Sequence, residues 1–273
     1  MDFFDVVWNL FRKYLPDSAY DWGKRSVFGR PGPHFSIDSF RIVADEYASV
    51  FLSFDKKNIL EVGPGRQFYT GFYFLSRGAK SVSLADPVLA GCTENQLEQD
   101  RKQFMQRERT HVGDEIQRYP SMNAIPVSGN GTFDIVCSRF VLEHLRDPED
   151  FFRQSARLLK PGGVCYHFVD LSDHAYHLFD SRPCTRWLYR SRMLHHLRYS
   201  DSFFNLITDN RIWVNRLLLP AYRKLWERFD LTIRFLKPLF IHSVTIHKDV
   251  MKKNPTNDKA DLHISHFGFC AVK

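Results

Sequence analysis

The chain has 273 residues, 44% of them hydrophobic and 25% charged, which is enough for one large domain with a real core. Aromatics make up 15%, with 25 Phe among them, a balance that excludes a disordered or collagen-like polymer. The formal net charge is +7, and no uncharged apolar run approaches the roughly 18 residues of a membrane span; the nearest lies between Arg66 and Arg77.

In chain order, residues 3 to 15 place Phe3, Phe4, Val7, Leu10, Phe11, Tyr14 and Leu15 at helical spacing, and Pro16 ends the pattern. Such a helix either packs on its own domain or makes peripheral contact with a membrane surface. The start carries an acid, Asp2, in place of the basic region of a secretory signal. Cys92, Cys137, Cys165, Cys184 and Cys270 are odd in number and widely spaced, and read as reduced thiols of a cytoplasmic protein. Arg30 to Phe35 reads as a loop, and a helix follows from about Asp38 to Phe54.

The next stretch alternates strands and helices. Asn58 to Val62 reads as a short buried strand that breaks into Gly63-Pro64-Gly65, with a helix following through Leu75. Ser81 to Ala85 is a second strand, residues 93 to 110 a polar helix, Glu115 to Tyr119 a weak third strand and Thr132 to Cys137 a fourth. Asp147 and Pro148 are suited to the N-cap and first position of a helix, which Lys160-Pro161-Gly162-Gly163 stops before a fifth strand, Val164 to Val169. This alternation predicts an α/β fold with a parallel, doubly wound sheet. The polar run from Lys248 to Lys259 reads as a late loop.

Between residues 182 and 228 ten basic side chains face only Asp201, Asp209 and Glu227, so this segment accounts for the whole surplus of charge. Nine of the ten are Arg, suited to forked contacts with phosphate or carboxylate. The segment is either a surface for an acidic acceptor, a nucleic acid or an anionic membrane, or a solvated helical face whose stems cover its many aromatics.

Ligands of doubly wound sheets bind outside the carboxyl ends of the strands. Gly63 and Gly65 let the backbone approach a ligand closely, and Asp86, at the end of the second strand, can accept bonds from both hydroxyls of a ribose. A dinucleotide fingerprint fails because residue 68 is Phe. Glu61, two places before Gly63, disfavours a diphosphate and suits a ligand with a positive charge. A ribose joined to a cationic group is what S-adenosylmethionine offers.

Residues 59 to 66 (Ile-Leu-Glu-Val-Gly-Pro-Gly-Arg), Asp86, the strand Phe133 to Ser138, Val141-Leu-Glu-His144 and Leu158-Leu-Lys-Pro-Gly-Gly163 together resemble the class I S-adenosylmethionine-dependent methyltransferases. The resemblance covers roughly residues 55 to 172. It implies a Rossmann-like methyltransferase fold of seven strands, with Phe229 to Ile233 and His263 to Val272 as the final antiparallel pair. It also implies that the loop from Glu61 through Gly63 to Gly65 lies under the methionine part, that Asp86 holds the ribose, that Ser121 and Met122 line the adenine, and that Ser138 faces the cofactor. Two departures are Gln67, where a third glycine is frequent, and Ser121, where an acid often meets the adenine amine. A non-catalytic relative that keeps the fold is therefore an alternative.

For the acceptor, Ser138-Arg139-Phe140-Val141 stands where enzymes acting on exocyclic base amines carry Asn/Asp-Pro-Pro-aromatic, and Cys137 lacks the preceding proline of RNA cytosine-C5 enzymes. His144, Asp170 and His174 are the candidate catalytic groups, since a His oriented by an Asp can act as a base near neutral pH. His167, His174 and His177 do not form an evident ligand set, so no metal is expected. Asp170 to His174, Leu197 to Ser200 and Trp213 to Arg216 are also similar to bacterial methyltransferases associated with surface-glycan biosynthesis. That likeness implies an α-helical lid over residues 176–228. The expected reaction is methylation of a hydroxyl of a saccharide or other small acidic molecule; an RNA methyltransferase, its Arg-rich segment gripping phosphates, is the alternative. The expected divisions are N-terminal helices over 1–54, a cofactor-binding core over 55–175, the lid, and closing strands over 229–273.

Overall fold

Five short apolar runs build the parallel part of one sheet: β1 (Asn58–Val62), β2 (Ser81–Ala85), β3 (Ile116–Tyr119), β4 (Phe133–Arg139) and β5 (Leu159–Asp170). β6 (Thr232–Phe240) and β7 (Ile264–Val272) complete it antiparallel, in the order β3-β2-β1-β4-β5-β7-β6. This is the seven-stranded, doubly wound arrangement expected from the sequence. The computed structural model describes residues 3–16, 18–19, 40–113, 115–175, 186–209, 213–240, 245–256 and 258–273. The predicted loop at 30–35 lies outside them, as do Asp38, Cys184 and His177; the other four cysteines are free thiols. Among the described residues, no helix is long and apolar enough to cross a membrane.

The helices are α1 (Phe3–Tyr14), α2 (Phe40–Val50), α3 (Tyr69–Ser76), α4 (Pro87–Ala90), α5 (Glu94–Glu108), α6 (Pro148–Leu158), α7 (Arg186–Arg192), α8 (Asp201–Ile207), α9 (Leu219–Arg228) and α10 (Lys248–Lys253). Sequence-local chemistry sets several starts. Thr93 caps α5 by accepting from the Gln96 amide at 3.2 Å, and Asp147 caps α6 through the Asp150 amide at 3.0 Å, with Pro148 at the first position. One face of the sheet is covered by α2, α3 and α5 through Tyr47, Phe72, Phe74 and Phe104, which explains much of the Phe content. The other is covered by α6 and α9, where Phe152, Tyr222 and Trp226 pack on Phe267 and Phe269.

Four sequence expectations need correction. Residues 219–228 were expected in the lid, but α9 is a layer helix of the sheet, because Leu219, Tyr222 and Trp226 form a continuous apolar face. Lys160 to Gly163 belongs to the bulged start of β5, where the register shifts opposite Phe133 and Ile135 and Gly162 donates to the Lys273 carbonyl at 2.9 Å. β6 begins at Thr232 and runs on to Phe240, with Pro238 tolerated because the strand is an edge. The polar run after Lys248 opens with α10, held by buried Val250 and by Asn254, which accepts from the Leu218 amide at 2.6 Å and donates to the Arg216 carbonyl at 3.1 Å.

The insertion between β5 and α9 carries its own small core of Tyr199, Phe204, Ile207 and Val214. Leu10 of α1 packs on that core, and Lys13 donates to the Leu206 carbonyl at 2.5 Å. Val7, Phe11 and Tyr14 remain exposed. The charge excess of the segment is partly internal: Arg216 pairs with Asp201, Arg223 lies 3.2 Å from Asp261 and Arg228 lies 2.8 Å from Glu149.

Candidate functional site

The order of strands reverses between β1 and β4, and a crevice opens there at their carboxyl ends. The chain leaves β1 through Gly63 and Gly65, both with left-handed backbone at φ +69° and +80°. A Cβ on Gly63 would meet Val141 Cγ2 at 2.4 Å, whereas one on Gly65 would enter open space. The Gly65 amide donates to Asp86 Oδ2 at 3.1 Å, and Asp86 Oδ1 accepts from the Val88 amide at 2.7 Å to cap α4. One carboxylate thus fixes both the glycine turn and the start of the helix after β2.

Gly63, Asp86, Ser121, Met122 and His144 line a cleft of about 450 Å³, within the size range of a small-molecule site. Asp147 and Asp150, two acids that sequence reading did not assign to the site, share its wall. Phe140, held at φ +58°, separates it from a smaller cavity of about 150 Å³ lined by Glu61, Gly63, Gly65, Thr70 and Arg139. A non-glycine residue in that region is strained and signals a constrained turn. Arg139 is held by Glu46 at 2.9 Å, and Tyr166 donates to the same carboxylate at 2.7 Å, which ties α2 to the ends of β4 and β5.

Glu61 is buried. The Thr70 hydroxyl donates to Oε2 and Tyr47 donates to Oε1 at 3.4 Å. Burial raises its pKa to about 7 against the opposing effect of these two hydroxyls, and Asp86 adds to the rise. A carboxyl poised in this way accommodates a cationic ligand by losing its proton. The residues therefore fit S-adenosylmethionine: a glycine turn with space above Gly65, a ribose-type carboxylate at Asp86 and an acid behind the turn.

The candidate catalytic groups form the next shell of the same cleft. His144 lines it, and its ring centroid lies 4.7 Å from that of His174. His174 Nε2 is 3.6 Å from Asp170 Oδ2, while Asp170 Oδ1 lies 3.0 Å from His266 Nε2. Desolvation, and then the neighbouring His174, lower the His144 pKa from the ordinary imidazole value. His144 Nδ1 donates to the Trp213 carbonyl at 3.3 Å. Glu143, adjacent in sequence but not singled out from it, is buried; desolvation and then Asp170 push its carboxyl well above the usual range.

Ser138 departs from expectation. Its hydroxyl is fully buried and lies 2.7 Å from His167 Nδ1, so it supports the sheet core behind the cleft. His167 itself is buried in β5 and its pKa is pushed down to about 3 by burial. Neither Ser138 nor His167 lines the two cavities.

Comparison with known proteins agrees with this architecture. Residues 37–234 match the family model described as a methyltransferase domain. Over 109 residues the chain is 28% identical to a ubiquinone biosynthesis O-methyltransferase of Caulobacter vibrioides, a match covering 38% of this chain and 43% of that protein. Over 107 residues it is 32% identical to the protein of that name from Caulobacter sp. strain K31, covering 37% and 42%. The chain thus spans less than half the length of these curated relatives. Among solved structures, phosphoethanolamine N-methyltransferase 2 of Haemonchus contortus, in complex with S-adenosyl-L-methionine, superposes with a TM-score of 0.53 at 14% identity, over 97% of this chain and 59% of that one. A protein of Listeria monocytogenes described as an S-adenosylmethionine-dependent methyltransferase gives 0.51 at 14%, over 84% and 96%. The chain belongs to the methyltransferase-domain family.

Proposed function

We propose that the protein transfers a methyl group to a hydroxyl of a saccharide or other small acidic acceptor. The observation that carries this reading is the His144–His174–Asp170 cluster in and behind the wall of the cofactor cleft. When bound, S-adenosylmethionine supplies an electrophilic methyl. Glu61, Gly63, Gly65 and Asp86 would hold it, with Ser121 and Met122 along the adenine side. Transfer is an in-line displacement, so positioning contributes most and a base is needed to take the hydroxyl proton. A neutral imidazole of this pair can accept that proton, with the Asp170 carboxylate beside His174. The names of the Caulobacter relatives, which specify O-methylation, support oxygen as the acceptor atom.

Calorimetric titration with S-adenosylmethionine and S-adenosylhomocysteine, with NAD as a control, tests the cofactor side; both should bind and NAD should not. Transfer of labelled methyl to uronic acids and neutral sugars tests the acceptor. A label that survives mild alkali marks an ether and supports the reading, whereas an alkali-labile ester, or transfer to amines or RNA alone, overturns it. His174→Ala should leave cofactor affinity unchanged and lower turnover by about a hundredfold, the usual worth of a positioned base.

A further inference from the structure

The short turn Leu142–His144 sets a carboxylate and an imidazole side by side, and the chain beyond β5 brings a second imidazole to them. One ligating atom from each of Glu143, His144 and His174 lies within 4.8 Å of the others. Glu143 is 1% exposed. Its Oε1 accepts from the Asp170 amide at 3.4 Å, but its Oε2 is buried with no hydrogen-bond partner among the described residues. Leaving a buried carboxylate oxygen without a donor is costly, so a proton or a cation must satisfy it.

The two imidazoles beside it favour a cation. Nδ1–H of His144 is committed to the Trp213 carbonyl, which leaves the lone pair on Nε2. His174 Nε2 has the Asp170 carboxylate at 3.6 Å, beyond a hydrogen bond but on the side from which carboxylates orient metal-bound histidines. The turn is also fixed from outside. Asn215 Nδ2 donates to the carbonyls of Leu142 at 2.7 Å and Leu145 at 3.3 Å, and its amide donates to the Glu143 carbonyl at 2.8 Å. Two of the three groups are therefore held on a preorganised support.

We propose that Glu143, His144 and His174 bind a divalent first-row transition cation, zinc or manganese, in the wall of the cofactor cleft. Two imidazoles and one carboxylate are the donor set of that class. Bonds of about 2.0–2.2 Å draw the ligand atoms closer together than they stand here, by side-chain rotation. Three protein ligands leave a coordination position open, and His144 places it at the cleft. An acceptor hydroxyl bound there would give up its proton to solvent in the cleft more readily, so the cation would take over the activating role assigned above to the imidazoles. That role rests on the hydroxyl reading; binding of the cation does not.

Zinc and manganese are titrated by calorimetry into the full chain after chelator treatment, and cobalt is loaded to read its visible absorption bands. One cation should bind per chain. Glu143→Gln, which keeps the acceptor for the Asp170 amide, and His144→Ala, at the cleft surface, should each weaken binding by about tenfold or more. Melting curves check that both variants fold. Asp86→Ala, which disturbs the cofactor side, should bind the cation as the parent does. No binding by the parent, or binding that Glu143→Gln and His144→Ala leave unchanged, overturns the site. Cation binding lost in those variants, in a protein that fails to bind S-adenosylmethionine, upholds the site and removes the methyl-transfer reading alone.

Discussion

At the residue scale, Glu61 and Asp86 show how two acids of adjoining cavities serve different ends. In the unfolded chain Glu61 ionises near 4.5, while in the folded protein it keeps its proton to about 7. Between these values the unfolded state binds fewer protons, so stability falls as pH rises, by about 3 kcal/mol in all. Glu61→Gln should flatten this slope, which melting curves from pH 5 to 7.5 would read. For the same reason affinity for a cationic cofactor should increase as pH rises through about 7 in the parent and not in Glu61→Gln. Asp86 works through its oxygens: they fix the Gly65 and Val88 amides. Asp86→Ala should weaken cofactor binding and also cost about 1 kcal/mol for the lost cap, whereas Asp86→Asn should retain the cap. Calorimetry and melting temperatures separate the two effects.

At the element scale, the turn after β1 uses its two glycines for different reasons. Gly63→Ala adds a methyl 2.4 Å from Val141 Cγ2 on left-handed backbone, and should destabilise by about 3 kcal/mol. Val141→Ala in that background should recover the overpacking part, as measured by denaturant midpoints. Gly65→Ala meets no neighbour, so it should cost only about 1 kcal/mol of stability, yet reduce cofactor affinity because Gly65 lines the smaller cavity beside Glu61. These glycines, and the cap at Asp147, were legible in the sequence because each depends on a few consecutive residues. The fate of residues 248–253 was not, because α10 is held by Val250 and Asn254 against segments more than thirty positions earlier in the chain.

At the scale of the whole molecule, the insertion after β5 is attached through Arg216. Its guanidinium is buried, donates to the carbonyls of His196 at 3.0 Å and Tyr199 at 2.8 Å, pairs with Asp201 and lies over the Phe204 ring at 4.6 Å. Arg216→Ala should destabilise by about 3 kcal/mol, and hydrogen exchange should accelerate over residues 195–207 more than in the strands. The same insertion supplies Trp213 and Asn215 to the back of the His144 turn, so loosening it should also disturb the cleft.

The sequence by itself determined the five parallel strands, the glycine turn after the first and the places of Glu61 and Asp86 at strand ends, since hydrophobic period and turn chemistry are local properties read from neighbouring residues. It also brought His144, Asp170 and His174 forward, because the ends of parallel strands meet at one edge of the sheet. Only the tertiary structure decided which way Ser138 faces, since packing against His167 takes a hydroxyl that strand position alone leaves undirected. It alone separated α9 from the lid, because apolar faces of helix and lid look alike until a sheet is set beneath one of them. And it alone joined Glu143 to two histidines, one of them thirty-one positions away in sequence, because that proximity arises from the pairing of β4 with β5.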